Sequence, residues 1–151
     1  MLKFILFIFF VCLGEAVSSQ SITKNTDMNF GNIAVNNSGG TVILDPSGSR
    51  TGTGGVTLPA IAGSVNAASF DISGTALLTY GITLPIAGCT LSSGGNTMSI
   101  DTFTSTPSTT GALNGIGTQI LNVGATLHVG GTQTSGNYTS GGSFTVTVNY
   151  N

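Results

Sequence analysis

The chain has almost no charge, no tryptophan and very little cysteine, and each shortage removes a class of function. Charged residues make up 5% of its 151 positions, with three basic and five acidic side chains. There is no basic stripe to neutralise phosphates and no acidic tail, so nucleic-acid binding is disfavoured on electrostatics alone. Of two cysteines, Cys12 lies in an apolar N-terminal run and Cys89 in the body of the chain. Cys89 is expected to be a small buried hydrophobe, with an intermolecular bridge or a nucleophilic role as lesser alternatives. His128 is the only histidine. With no second histidine and no thiol cluster beside it, it reads as a solvated strand histidine and not a metal ligand; no metal and no cofactor is expected.

Long apolar runs are also missing, except at the start. Lys3, then Phe4 to Leu13, then the small residues around Ala16-Val17-Ser18 have the order of a cleaved export signal. That run is short for a membrane span. The expected organisation is a signal peptide over 1–19, a short extension over 20–27 and one domain over 28–151, on a protein that leaves the cytoplasm for the cell surface or beyond. An uncleaved signal anchor is the alternative. Beyond the leader the basic residues are Lys24 and Arg50, and the carboxylates are Asp27, Asp45, Asp71 and Asp101. Each aspartate stands alone among small polar residues and fits a turn or strand-end role. No serine has an activating base near it in sequence, so no catalytic residue is expected and the chain reads as a non-enzyme. The sequons at Asn36-Asn37-Ser38 and Asn137-Tyr138-Thr139 are of the kind that arises by chance in an Asn- and Thr-rich chain.

What is present is glycine, threonine, serine and asparagine around short apolar segments. A hydrophobic fraction of 40% supplies one core. No segment keeps helical spacing over two turns, whereas β-branched residues are frequent and turn residues recur, which is the pattern of an all-β sandwich. Strands are expected at Met28 to Val35, closed by a turn over Asn36 to Gly40, then at Thr41 to Leu44, followed by the Asp45-Pro46-Ser47-Gly48 turn and a glycine-interrupted strand from Arg50 to Leu58. Ser69 to Ile72 and Ala76 to Leu84 read as a central pair, and Pro85 ends that run. Thr90 to Ser92 and Thr97 to Thr104 read as a hairpin across Ser93-Gly94-Gly95-Asn96. From Gln119, Val123, Ala125, Leu127 and Val129 face one way and Asn122, Gly124, Thr126 and His128 the other. Phe144, Val146, Val148 and Tyr150 share one face of a terminal strand.

Three segments carry a resemblance: Met28-Asn29-Phe30-Gly31-Asn32-Ile33, Gly94-Gly95-Asn96-Thr97-Met98, and Gly136-Asn137-Tyr138 leading to Phe144 through Tyr150. Together they resemble a secreted bacterial domain family of unknown function, similar to spore-coat-U-like proteins and archaic chaperone-usher pilins. The resemblance implies an immunoglobulin-like sandwich that lacks its last strand. A periplasmic chaperone fills the groove of such a subunit first and a like subunit's N-terminal segment then replaces it, with an outer-membrane usher as the further partner the resemblance implies. On this chain the groove is expected at Phe30, Ile33, Phe144, Val146, Val148 and Tyr150, and the donor segment at Ile22 and Met28. Tyr138 would pack at one end of the sandwich, and Ser140-Gly141-Gly142-Ser143 would form a longer turn or bulge. The expected role is a structural subunit of a surface fibre or coat. The alternative is a self-contained, adhesin-like surface module that binds through polar loops such as Ser105 to Gly115.

Overall fold

The computed structural model describes residues 19–150; the signal-peptide expectation falls outside them. Eleven strands follow in chain order: β1 Ser21–Thr26, β2 Ala34–Leu44, β3 Arg50–Thr57, β4 Ala68–Ser73, β5 Thr79–Thr83, β6 Cys89–Ser93, β7 Asn96–Thr106, β8 Thr110–Ala112, β9 Thr118–Val129, β10 Thr139–Ser140 and β11 Thr147–Tyr150. All pairings are antiparallel and no helix occurs among the described residues. The expected all-β sandwich of immunoglobulin-like kind is what forms.

One large sheet runs β1-β4-β9-β7-β6-β10, with β2 on β9 and β3 on β2; a small sheet runs β11-β5-β8. β9 organises the large sheet because it is long enough to serve two partners on one side. Thr118 to Val123 pairs with β4, and Ala125 to Val129 with β2. Its alternation is as the sequence implies, with Val123, Ala125, Leu127 and Val129 all buried. The β6–β7 hairpin also forms where expected. Gly94 and Gly95 have φ of 53° and 86°, which a two-residue hairpin turn of the favoured hand demands. At Asp45, the carboxylate accepts from the Ser47 amide at 2.8 Å and the carbonyl accepts from the Gly48 amide at 2.8 Å.

The core has two halves. Val42, Leu44, Ile100, Leu127 and Val129 form one with Phe30; Ala68, Ile72, Tyr80, Leu113, Leu121 and Val123 form the other, and Met28 and Phe103 touch both. The small sheet covers only the second half. Over the first half the covering layer is irregular chain, with Met28, Phe30, Ile33, Leu58 and Val65 packed inward.

That irregular layer corrects the expected strand from Met28 to Val35, since regular pairing begins only at Ala34. The segment before it makes an isolated bridge, Asn29 to Asn66. The Asn29 side chain accepts from the Gly31 amide at 2.8 Å, turning the backbone out of a strand. Arg50 Nη1 donates to the carbonyls of Phe30 and Asn32, supplying partners that a ladder would have supplied. Arg50→Ala is therefore expected to cost about 2 kcal/mol or more by leaving two carbonyls unpaired. It should lower the urea midpoint with little change in slope.

Three further expectations are corrected. Asn36 to Gly40 does not close a strand; it lies within continuous β2, where the register against β3 shifts between Val35 and Gly40, a bulge and not a turn. The central pair does not pair: β4 belongs to the large sheet and β5 to the small one, so their apolar sets meet across the core. The strand expected from Ala76 starts at Thr79. Ser140 ends β10, and Gly141 to Ser143 bend the chain from the large sheet toward β11 in the small one, with the Gly142 amide donating to Ser140 Oγ at 3.2 Å, so the expected turn connects the two sheets.

Candidate functional site at the open side of the sandwich

The first and last described strands, β1 and β11, bring Ser21 and Tyr150 to the same side of the sandwich. β1 ends the large sheet, paired only with β4, and β11 ends the small sheet, paired only with β5, so among the described residues each presents one unpaired backbone edge. Ser21 stands opposite Ser73 and Tyr150 opposite Tyr80. The Tyr150 hydroxyl lies 2.9 Å from the carbonyl oxygen of Ser73 and 3.2 Å from that of Ser21. Its single proton, shared between these carbonyls and nearer that of Ser73, latches β11 to β4 and to β1 across the two sheets.

Phe144, Val146, Val148 and Tyr150 come together as expected, half-buried along the second half of the core. Alternation is the cause: Thr145, Thr147 and Asn149 between them are exposed. Phe144 is fixed by aromatic contacts, with ring centroids 6.4 Å from Phe70, edge-on, and 5.2 Å from Phe103. Phe30 and Ile33 lie elsewhere. They pack on the first half of the core, so the neighbour of β11 is Thr79–Thr83 and not the segment from Phe30 to Ile33. Of the donor residues, Ile22 sits on β1 opposite Ile72, 37% exposed at the sheet margin. Met28 is packed against both halves of its own core.

The floor of the open side is held by a polar group in an apolar setting. Tyr80 is fully buried, and its hydroxyl donates to Gln119 Oε1 at 2.6 Å; the same oxygen accepts from the Ala112 amide at 3.0 Å. Gln119 on the large sheet is thereby tied to β5 and β8 of the small one. Burial, and then the neighbouring Tyr150, push the Tyr80 phenol above its ordinary 10.0, and burial does the same to Tyr150. The folded state holds both protons more tightly than the unfolded chain does. Their contribution is therefore intact below pH 10.0 and lost as pH rises through the raised values. The melting temperature should fall on the alkaline side of that value, and Tyr80→Phe should shallow the fall.

Other candidate residues have structural partners. His128 Nε2 lies 2.9 Å from Asp101 Oδ1 on the exposed face, a contact between adjacent strands that no local pattern announces. The hydrogen bond from His128, and then one from Thr102, hold the Asp101 carboxyl below its ordinary range. Lys24 pairs with Asp27 at 2.6 Å. Cys89 is half-buried against the first half of the core, and burial raises its thiol, which keeps it protonated and slow to react. Tyr138 donates to the Thr134 carbonyl at 2.8 Å and accepts from Gln133 at 2.8 Å, pinning the loop between β9 and β10. No group of three or more metal-binding side chains occurs among the described residues.

A family model for a domain of unknown function, DUF4402, matches residues 21–150. The chain belongs to the DUF4402 family. No curated protein and no solved structure matches it. The matched span of this DUF4402 domain opens on the first residue of β1 and closes on the last of β11. Both edge strands are thus parts of the family domain itself, and residues 21–26, expected as an extension, are the margin of its large sheet.

Proposed function

We propose that this DUF4402 protein is an exported structural subunit of a bacterial surface fibre or coat, pilus-like in assembly, in which like subunits join by exchanging a β-strand. The observation that carries the proposal is β11, the last of the described strands. It stands at the margin of a small three-stranded sheet with its apolar row only half-buried. A strand added to its free edge would gain a short ladder of backbone hydrogen bonds and cover Val148 and, where it continues past Thr147, Val146 and Phe144, which is recognition by strand addition. Insertion from one copy to the next does not close on itself and builds a filament. The donor is β1 and its Ile22, because Met28 is engaged in its own core. β1 is exposed along most of its length and held by one neighbour through a pairing that slips between Lys24 and Thr26, so it is an easily released margin. A periplasmic chaperone and an outer-membrane usher are the partners such assembly calls for. A non-enzymatic role is supported by three of the four carboxylates beyond the leader, since Asp27 and Asp45 serve contacts within three residues and Asp101 is engaged by His128 on the adjacent strand.

One observation favours a self-contained surface-binding module instead: β1 is already seated in its own sheet and latched by Tyr150. Export of the full chain from a bacterial host, followed by denaturing gels of unheated and heated surface material, separates the two. Fibre subunits give a heat-labile ladder of multimers, and a self-contained module runs as one band in both lanes.

A further inference from the structure

A cavity of about 660 Å³ opens where β8 and β9 diverge, with Asp71, Ser73, Ala112, Asn114, Thr118 and Ile120 in its lining. Register places the polar groups. Asp71 stands opposite Ile120 and Ser73 opposite Thr118, and they alternate with Ile72 and Leu121, both fully buried, so these four share the outer face of the large sheet. Ala112 and Asn114 form the flank, because the turn from Asn114 to Thr118 leads from the small sheet into the large one. That flank is held rigidly. The Asn114 side-chain oxygen accepts from the amides of Ile116 and Thr118 at 3.0 Å each, its nitrogen donates to Thr118 Oγ1 at 3.0 Å, and the Ala112 amide is tied to Gln119. Asp71 has no such engagement. Lys24 engages Asp27, His128 engages Asp101 and turn amides engage Asp45, whereas Asp71 makes no hydrogen bond or ion pair among the described residues. Ile120 beside it is 57% exposed. Fixed amide and hydroxyl groups, one unpartnered carboxylate and one displayed aliphatic side chain thus meet around a single cavity.

The lining selects the chemistry of a ligand. No basic side chain lines the cavity, so nothing there neutralises a phosphate, sulfate or carboxylate. No aromatic ring lines it, so a flat base has nothing to stack on. A carboxylate without a cation is complementary to an ammonium group. The carboxamide of Asn114 and the hydroxyls of Ser73 and Thr118 both donate and accept, as the hydroxyls of a ligand require. We infer that this cavity is a binding site for an amino sugar, with the ammonium on Asp71, the hydroxyls on Asn114 and Thr118, and the carbon-bound hydrogens against Ile120. The volume fits, since small-molecule sites run from about 300 to 1,000 Å³. A single carboxylate lines the cavity, and hydrolysis of a glycosidic bond takes two, so the site binds its sugar and releases it unchanged. None of the lining residues lies on β1 or β11. The site therefore stands whether or not the subunit exchanges a strand. An open site for one ring holds its ligand with a Kd of about 1 mM, and repetition along a fibre would multiply that grip by about 10²–10⁴.

Saturation-transfer NMR observed on the ligand, with the exported chain and with glucosamine and glucose as probes, tests the site and reads weak binding to subunit and fibre alike. Glucosamine should titrate with a Kd of about 1 mM. Glucose should bind at least about fivefold more weakly, the difference between a charge-assisted and a neutral hydrogen bond. Asp71→Asn should weaken glucosamine binding by about the same factor. Its melting temperature should not change, because Asp71 is exposed and holds nothing in the fold. Asp27→Asn removes a carboxylate that lies outside the cavity and is already engaged by Lys24, so glucosamine binding should stay as it was. Absence of transfer to glucosamine, equal affinity for glucose, or undiminished binding in Asp71→Asn overturns the inference.

Discussion

Val148→Asp is expected to abolish assembly of the exported chain and to lower the recovery of soluble subunit. Val148 pairs with Ile82 and faces the second half of the core from a strand whose other edge is open. In the lone subunit the new carboxylate can turn toward water, so the loss of stability should be moderate, about 1–3 kcal/mol. Once a partner strand covers that edge the carboxylate has no exit and no cation to pair with, and the interface loses several kcal/mol. Val146→Asp, on the same face two residues earlier, should behave alike. Thr147→Asp is the control, because Thr147 is exposed between them; its carboxylate stays in water and assembly should persist. The readout is the multimer ladder on unheated gels together with periplasmic yield. If the valine variants assembled like the parent, the face of β11 would not be the site of strand addition.

Tyr80→Ala should cost about 3–5 kcal/mol, a third or more of the stability of an ordinary domain. Truncation removes a fully buried ring that packs 5.8 Å from Tyr150 and bridges the two sheets through Gln119. It also strands the Gln119 oxygen with only the Ala112 amide. Tyr80→Phe keeps the ring and loses one buried hydrogen bond, so about 1 kcal/mol is expected. The difference between the two variants separates packing from the polar bridge, and urea denaturation measures both. Equal losses would mean that the ring contributes nothing beyond its hydroxyl.

Strands whose sides differ were legible in the sequence, and relations between distant strands were not. β9 and the β6–β7 hairpin could be read because period-two alternation and a glycine pair are local signals. So could the apolar row from Phe144 to Tyr150. β4 and β5 share an apolar phase, which equally suits neighbours in one sheet and strands facing each other across a core; alternation cannot distinguish these. β1 escaped notice because Ser-Ile-Thr-Lys-Asn-Thr holds one aliphatic residue and is almost wholly exposed, so pairing with β4 and not burial makes it a strand. The segment from Met28 to Ile33 has the right apolar residues, yet Asn29 and Arg50 satisfy its backbone outside a ladder. The contact of His128 with Asp101 depends on the β7–β9 register, which one sequence does not reveal. The same holds for the candidate site: its apolar row was visible, while its neighbour Thr79–Thr83, the latch of Tyr150 and the seating of β1 all depend on long-range pairing.

The open edge of β11 is tested most directly by the thermal melting of the exported chain with and without excess peptide of residues 20–28. A subunit built for strand exchange should melt low alone and rise with peptide concentration, as expected for a ligand that binds only the folded state; Val148→Asp should erase the rise. A high melting temperature indifferent to the peptide would contradict strand exchange and leave a finished sandwich that works through its loops.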